Sequence, residues 1–181
     1  MIKASVNKNA QIQAGEMFRG AGLVISEEEI AGIEVVDFGL NNFEREGASI
    51  LTFVQTGRIA VKVIALFPNQ ILPEHWHPPV GDDPGKEETL RAIWGDTLVY
   101  LPGENTLPDG SVPDGKERYY TCRKMVSMDP PDQMTLEPGV KHWFRAGPGG
   151  AVLYSFSSVA RDVLDGFTDP NVERTTIITK D

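Results

Sequence analysis

Histidine is scarce in this chain, and its three copies are not scattered. His75 and His77 are separated by a single residue, and His142 closes the run Pro138-Gly139-Val140-Lys141-His142, a turn that delivers a histidine to the start of a strand. Side chains two apart in an extended strand point to the same face, so His75 and His77 present two imidazoles side by side with Trp76 turned away. Glu88 follows in Gly85-Lys86-Glu87-Glu88, with Gly95 seven residues beyond it. Neutral imidazole and carboxylate are donors for divalent transition ions. A His-x-His pair alone is equally compatible with hydrogen-bonded surface histidines. The absence of histidine from the rest of the chain favours a metal centre.

A second chemical feature is Lys62, which interrupts the apolar run Ile59 to Phe67. In a strand that residue either lines the interior or sits on a solvated outer face. Burial would bring an amine towards a pKa useful for acid/base work near neutral pH.

Composition limits what these residues can serve. At 181 residues and 19.9 kDa the chain suits one domain, able to bury roughly two-thirds of its unfolded surface. The formal charge of −9 and pI of about 4.8 disfavour nucleic acid and anionic membranes, which call for basic patches, but leave a neutral sugar open. No apolar run approaches a membrane span, and Met1-Ile2-Lys3 does not open a signal peptide. Cys122 is the single cysteine, so no internal disulfide forms. A buried structural thiol in a reducing, cytoplasmic setting is the expectation.

The elements that must position these groups are mostly strands. Asn9 to Arg19 reads as helix, and Ser26-Glu27-Glu28-Glu29 is a capping-box pattern before Ile30, so residues 1–36 are expected to form a helical N-terminal segment. From 37 to 181 short strands alternate with turns: Ala48–Gln55, Arg58–Phe67, Ile71–His77, Thr89–Ile93, Asp96–Leu101, Arg118–Val126, Gln133–Leu136, His142–Arg145 and Ala151–Ser157. Pro102 to Glu117 carries two Pro-Asp-Gly turns and is expected to be a surface loop, with a lid as one role. The pattern predicts an all-β sandwich or barrel within a single domain.

Residues 60–157 resemble the two cupin motifs: His-x-His, then Glu, then Gly, and later Pro and Gly followed by His. The gap from His77 to Glu88 is longer than usual, Asn69 stands where the first motif opens with Gly, and Ala146 where the second closes with Asn. The resemblance implies a cupin (jelly-roll) antiparallel β-barrel in which His75, His77, Glu88 and His142 hold one divalent ion. Four protein ligands on an octahedral ion leave two adjacent positions for substrate oxygens. A closed structural zinc site would ordinarily recruit cysteine.

Within the cupins, Pro73-Glu74-His75-Trp76-His77-Pro78-Pro79, the run from Gly81 to Arg91, Glu137 to Gly147 and Phe167-Thr168-Asp169-Pro170 resemble the small D-lyxose isomerases over nearly the whole chain. The resemblance implies a metal-dependent aldose–ketose isomerase, interconverting D-lyxose with D-xylulose and often D-mannose with D-fructose. It implies Mn²⁺ as the ion, with Co²⁺, Fe²⁺, Ni²⁺ and Zn²⁺ as alternatives, and Lys62 as the acid/base. A homodimer is expected because barrels with edge strands often pair. Lys86 and Arg91 flank Glu88 and are expected to hydrogen-bond sugar hydroxyls. Trp143 and Phe144 adjoin His142 as stacking or core residues. Relatives carry Glu-Phe-Ser on the late strand where this chain has Ser155-Phe156-Ser157, so a weakly basic hydroxyl faces the substrate at Ser155. Strand alternation turns Glu74 away from the metal, and Asp162 and Asp165 lie on the following segment, where the sequence does not decide whether they reach in. The competing functions are an Fe²⁺ cupin dioxygenase and a non-catalytic sugar- or metal-binding cupin.

Overall fold

The computed structural model describes residues 1–181. The N-terminal part supplies β1 (Ile2–Lys3), α1 (Ala4–Gly20), α2 (Glu27–Ala31) and β2 (Glu34–Val36). The barrel strands are β3 (Ala48–Gln55), β4 (Ile59–Leu66), β5 (Ile71–Trp76), β6 (Glu88–Leu101), β7 (Lys124–Met128), β8 (Gln133–Leu136) and β9 (His142–Ser158). β10 (Gly166–Phe167) and β11 (Ile178–Thr179) belong to a C-terminal strap. β1 and β11 pair in parallel, and the ladders between the other strands are antiparallel.

Two long strands form the frame. β9 pairs with β5 through its first turn of residues and with β4 along Ala151–Ser158, while β6 follows it from Glu88↔Ser157 to Tyr100↔Trp143. The sheet therefore curls into an all-β, cupin-type jelly-roll barrel. The sequence suggests two strands at each of these places, separated by Gly95 and by Gly147 to Gly150. Each is one bent strand. Gly95 and Gly150 both have positive φ, +68° and +87°, and a Cβ on Gly95 would lie 2.1 Å from the Gly150 carbonyl oxygen. The two chains touch at the corner, and the ladder resumes beyond it with a shift in register.

Strand alternation separates two packing layers. Lys62, Ile64 and Leu66 of β4 point inwards, where Ile64 and Leu66 join Leu90, Ala92, Phe144, Ala151 and Leu153. Val63 and Ala65 point outwards and pack with Leu51 and Val152 against Ala10, Ala14, Phe18 and Ile30 of the helices. Full burial of a side chain such as Phe18 contributes about 1.5–3 kcal/mol. Gly15 lets the helices meet, since a Cβ there would fall 2.8 Å from Ile30. The capping box forms: the Glu29 amide donates to Ser26 Oγ at 3.1 Å, and the Ser26 amide to Glu29 Oε2 at 2.7 Å. β2, inside the stretch expected to be helical, pairs with β3.

Between β6 and β7 the chain departs from expectation. Pairing starts only at Lys124, and Glu117–Tyr119 is a 3₁₀ turn. Tyr120 and Cys122 are buried with Ile71, Tyr100 and Trp143, and the Tyr120 hydroxyl donates to Glu46 at 2.7 Å. Packing over Trp143 outweighs the local strand preference. Leu107 and Val112 of the Pro/Gly-rich loop pack on the same cluster, so the loop covers the outer face of the sheet.

Candidate metal centre and active site

β5 and β9 lie side by side with His75 paired to His142, which brings their rings to 4.2 Å. His77 follows at the end of β5, and Glu88 opens β6 facing inwards beside Leu90 and Ala92. Each imidazole has its Nδ1 occupied: His75 by the Pro73 carbonyl at 2.9 Å, His142 by the Val140 carbonyl at 2.9 Å, and His77 by Asp165 Oδ1 at 2.7 Å. Donation from Nδ1 fixes the tautomer, leaving Nε2 as a lone-pair donor. His77 Nε2 lies 3.1 Å and His142 Nε2 3.8 Å from Glu88 Oε2. One donor atom from each of the four residues falls within 4.8 Å of the others.

This donor set fits a metal ion. His142 is 0% exposed and its Nε2 has no hydrogen-bond partner. An unsatisfied buried acceptor costs about 1–3 kcal/mol, and an ion at the focus of the four donors would remove that penalty. Burial, reinforced by the neighbouring histidines, holds His75 well below the usual imidazole range. Burial also pushes His142 down to about 4. Burial opposes a charge on Glu88, but Lys86 and His77 outweigh it and keep the carboxyl well below its ordinary range. The group is therefore two neutral imidazoles, one imidazole tuned by Asp165, and a carboxylate.

Beside this group opens a small cavity of about 40 Å³. Its apolar wall includes Phe38, Ile64, Phe144 and Phe167, and its polar wall Lys62, Lys86, Ser155, Asp162, Asp165 and Arg174. Lys62 is 7% exposed, inward on β4, and ion-paired with Asp162. Lys86 Nζ sits 3.3 Å from Glu88 Oε1, which also accepts from the Ser155 hydroxyl. Burial opposes the charge on Lys86, yet Glu88 and Asp162 hold its ammonium above the usual range.

Arg91, expected beside the sugar, is elsewhere. Three residues after Glu88 on one strand, it takes the opposite face, where its guanidinium donates to Gln133 at 2.9 Å. Glu74 faces away from the histidines and accepts from Thr121, Thr168 and the Cys122 amide. Trp143 is core, stacked on Tyr100, whereas Phe144 lines the cavity. The Cys122 thiol is buried, which with nearby Glu74 pushes its pKa up to about 12.

Arg174 escaped sequence reasoning. It arrives on the strap after β9, gripping Glu34 of β2 at 2.7 and 3.2 Å and Asp162 at 3.4 Å. Its only signal in the sequence would have been the Thr168-Asp169-Pro170 turn, which returns the strap over the barrel.

No protein-family model matches the chain. The D-lyxose ketol-isomerase of Cohnella laeviribosi is 46% identical over 172 residues, covering 94% of each sequence. The D-lyxose/D-mannose isomerase of Thermosediminibacter oceani (strain ATCC BAA-1034 / DSM 16646 / JW/IW-1228P) is 43% identical over 175 residues, 96% of this chain and 97% of the relative. Among solved structures, the L-ribose isomerase of Cellulomonas parahominis with L-ribose superposes with a TM-score of 0.82 over 98% of both chains at 16% identity, a likeness of fold. On the strength of that near full-length identity to its relatives, the chain belongs to the D-lyxose ketol-isomerase family of sugar isomerases.

Proposed function

We propose that this aldose–ketose isomerase interconverts D-lyxose and D-xylulose, and also D-mannose and D-fructose, in the cavity beside His75. The observation that carries the reading is the focus of three Nε2 atoms and Glu88 at the edge of a cavity into which a buried lysine projects. The names of the relatives supply D-lyxose and D-mannose, and D-xylulose and D-fructose are the ketoses formed when the carbonyl of each moves from C1 to C2.

In this reading His75, His77, Glu88 and His142 hold one divalent ion, Mn²⁺. When bound, it supplies Lewis acidity towards the two sugar oxygens that exchange carbonyl and hydroxyl character. The side chains do the rest. Lys62 moves a proton at the sugar oxygens, and Lys86 presents a charge to the substrate while steadying Glu88. Ser155 serves Glu88 directly, since its hydroxyl is already committed to that carboxylate. Phe38, Phe144 and Phe167 keep water from the reacting carbons.

The enzyme works as a single domain in the cytoplasm and as a homodimer. No helix is long and apolar enough to cross a membrane. Val54, Ile59 and Phe156 are exposed on neighbouring strands of the outer face, an apolar surface that a second copy would cover. Sedimentation at micromolar concentration tests that point, and a monomer refutes it.

The decisive experiment is metal analysis of the purified protein, followed by an aldose panel with Mn²⁺ under anaerobic conditions. Turnover of lyxose or mannose without O₂ is the expected result. Turnover only with O₂, or sugar binding without turnover, would overturn the reading.

A further inference from the structure

Moving a proton between adjacent carbons requires a base, and three carboxylates line the cavity: Glu88, Asp162 and Asp165. Two are committed. Glu88 turns Oε2 towards the histidines, while Oε1 is held by Lys86 and Ser155. Asp165 holds His77 Nδ1 through Oδ1, so taking up a substrate proton there would compete with the contact that orients that imidazole. Asp162 is different. Its Oδ2 accepts from Lys62 and from Arg174, which Glu34 grips from behind. Its Oδ1 is buried without a hydrogen-bond partner, 3.8 Å from Lys86 Nζ. One oxygen is thus fixed and the other is left free. The Ser155 hydroxyl, being a weak base and already a donor to Glu88, is no rival.

We propose that Asp162 is the base that carries the carbon-bound proton, with Lys62 as its acid partner, an assignment that rests on the isomerase reading. Asp162 Oδ1 takes the proton from C2 of the open-chain aldose. The C2–H bonding pair becomes the C1=C2 π bond, and the carbonyl π pair moves to O1, which takes a proton from the Lys62 ammonium. The product of this half is an enediol. In the second half the O2 hydroxyl gives its proton to the Lys62 amine and its electrons re-form C2=O. The C1=C2 pair then takes the proton back from Asp162 to make the new C1–H bond. Both side chains end as they began, and no oxidant or reductant is needed. Arg174 is a positioning residue here, because it holds Asp162 Oδ2 while Glu34 fixes its guanidinium.

Asp162→Asn keeps the shape and an acceptor for Lys62 while removing the base. In the Mn²⁺-loaded full chain, kcat for D-lyxose and deuterium exchange at C2 in D₂O should both fall by roughly two to four orders of magnitude. KM, Mn²⁺ content and melting temperature should stay close to wild type, and Asp162→Glu should restore part of the exchange. Retention of kcat within about tenfold would overturn the assignment, as would a loss of Mn²⁺ that accounts for the lost activity. Should Asp162→Asn not fold, Asp162→Glu carries the test: a displaced carboxylate should lower kcat about tenfold or more at unchanged Mn²⁺ content, and an unaltered kcat refutes the proposal. A metal-loaded wild type that converts no D-lyxose to ketose overturns the isomerase reading itself. An active wild type with an unimpaired variant overturns only Asp162.

Discussion

Asp165 acts on the site through His77, and removing its charge should be read in metal affinity rather than in turnover. The pair is short, 2.7 Å, and nearly dry, with the two side chains 2% and 10% exposed. A hydrogen bond to a charged group contributes about 1.5–3 kcal/mol and a neutral one about 0.5–1.5 kcal/mol. Asp165→Asn keeps an acceptor for the ring but loses the charge, a difference of about 1–1.5 kcal/mol. That corresponds to roughly tenfold in Kd. Asp165→Ala also frees the ring to rotate and leaves its N–H unpaired, so its loss should approach a hundredfold, the upper end for partners that orient a ligand. The assay is competition for Mn²⁺ between protein stripped of metal and a fluorescent chelator at neutral pH, with kcat measured separately at saturating Mn²⁺. The expected order is wild type, Asn, then Ala in falling affinity, with most of kcat recovered when Mn²⁺ is in excess. If Asp165→Ala binds Mn²⁺ within twofold of wild type, the reasoning from the His77 contact fails.

Other perturbations separate the remaining roles. His142→Ala removes a fully buried imidazole and should lower metal content and activity together; full metal retention under mild chelation would exclude His142 as a ligand. Lys62→Met keeps most of the apolar stem and removes the donor, so isomerisation should drop roughly a hundredfold or more at unchanged Mn²⁺ content, as read by steady-state kinetics. Burial opposes the charge on Asp162, but Lys86 and Lys62 outweigh it and lower its pKa in the folded protein. Its stabilising contribution is therefore complete above the unfolded carboxyl pKa of about 3.9 and is lost as pH falls through the lower folded value. Melting temperature should decline below about pH 5 in wild type and less steeply in Asp162→Asn.

The three histidines were legible because they sit in local patterns whose geometry is nearly independent of the rest of the chain, while Glu88 joined them through the resemblance to the cupin motif. His75 and His77 share a face through strand alternation, and the turn at Pro138-Gly139 places His142 at a strand start. Alternation left Lys62 open to either face, because both faces of β4 are apolar, and only the structure turns it into the cavity. Helix α2 was legible because its cap involves only Ser26 and Glu29.

Where long-range packing decided the outcome, the sequence pattern was a poor guide. Glycines that read as strand ends proved to be corners, since only the facing strand shows that Gly95 and Gly150 must approach each other. Tyr120 and Cys122 read as strand residues, yet burial over Trp143 took them out of the ladder. Arg91 was assigned by nearness to Glu88 in sequence, and the pleat turned it to the other face. The sequence by itself determined the donor types, their pairing on one strand and the all-β body. Only the tertiary structure decided which charged groups reach the cavity: Asp162, Asp165 and Arg174 arrive on a strap whose path is set by Glu34 and His77, contacts more than eighty residues away in the chain.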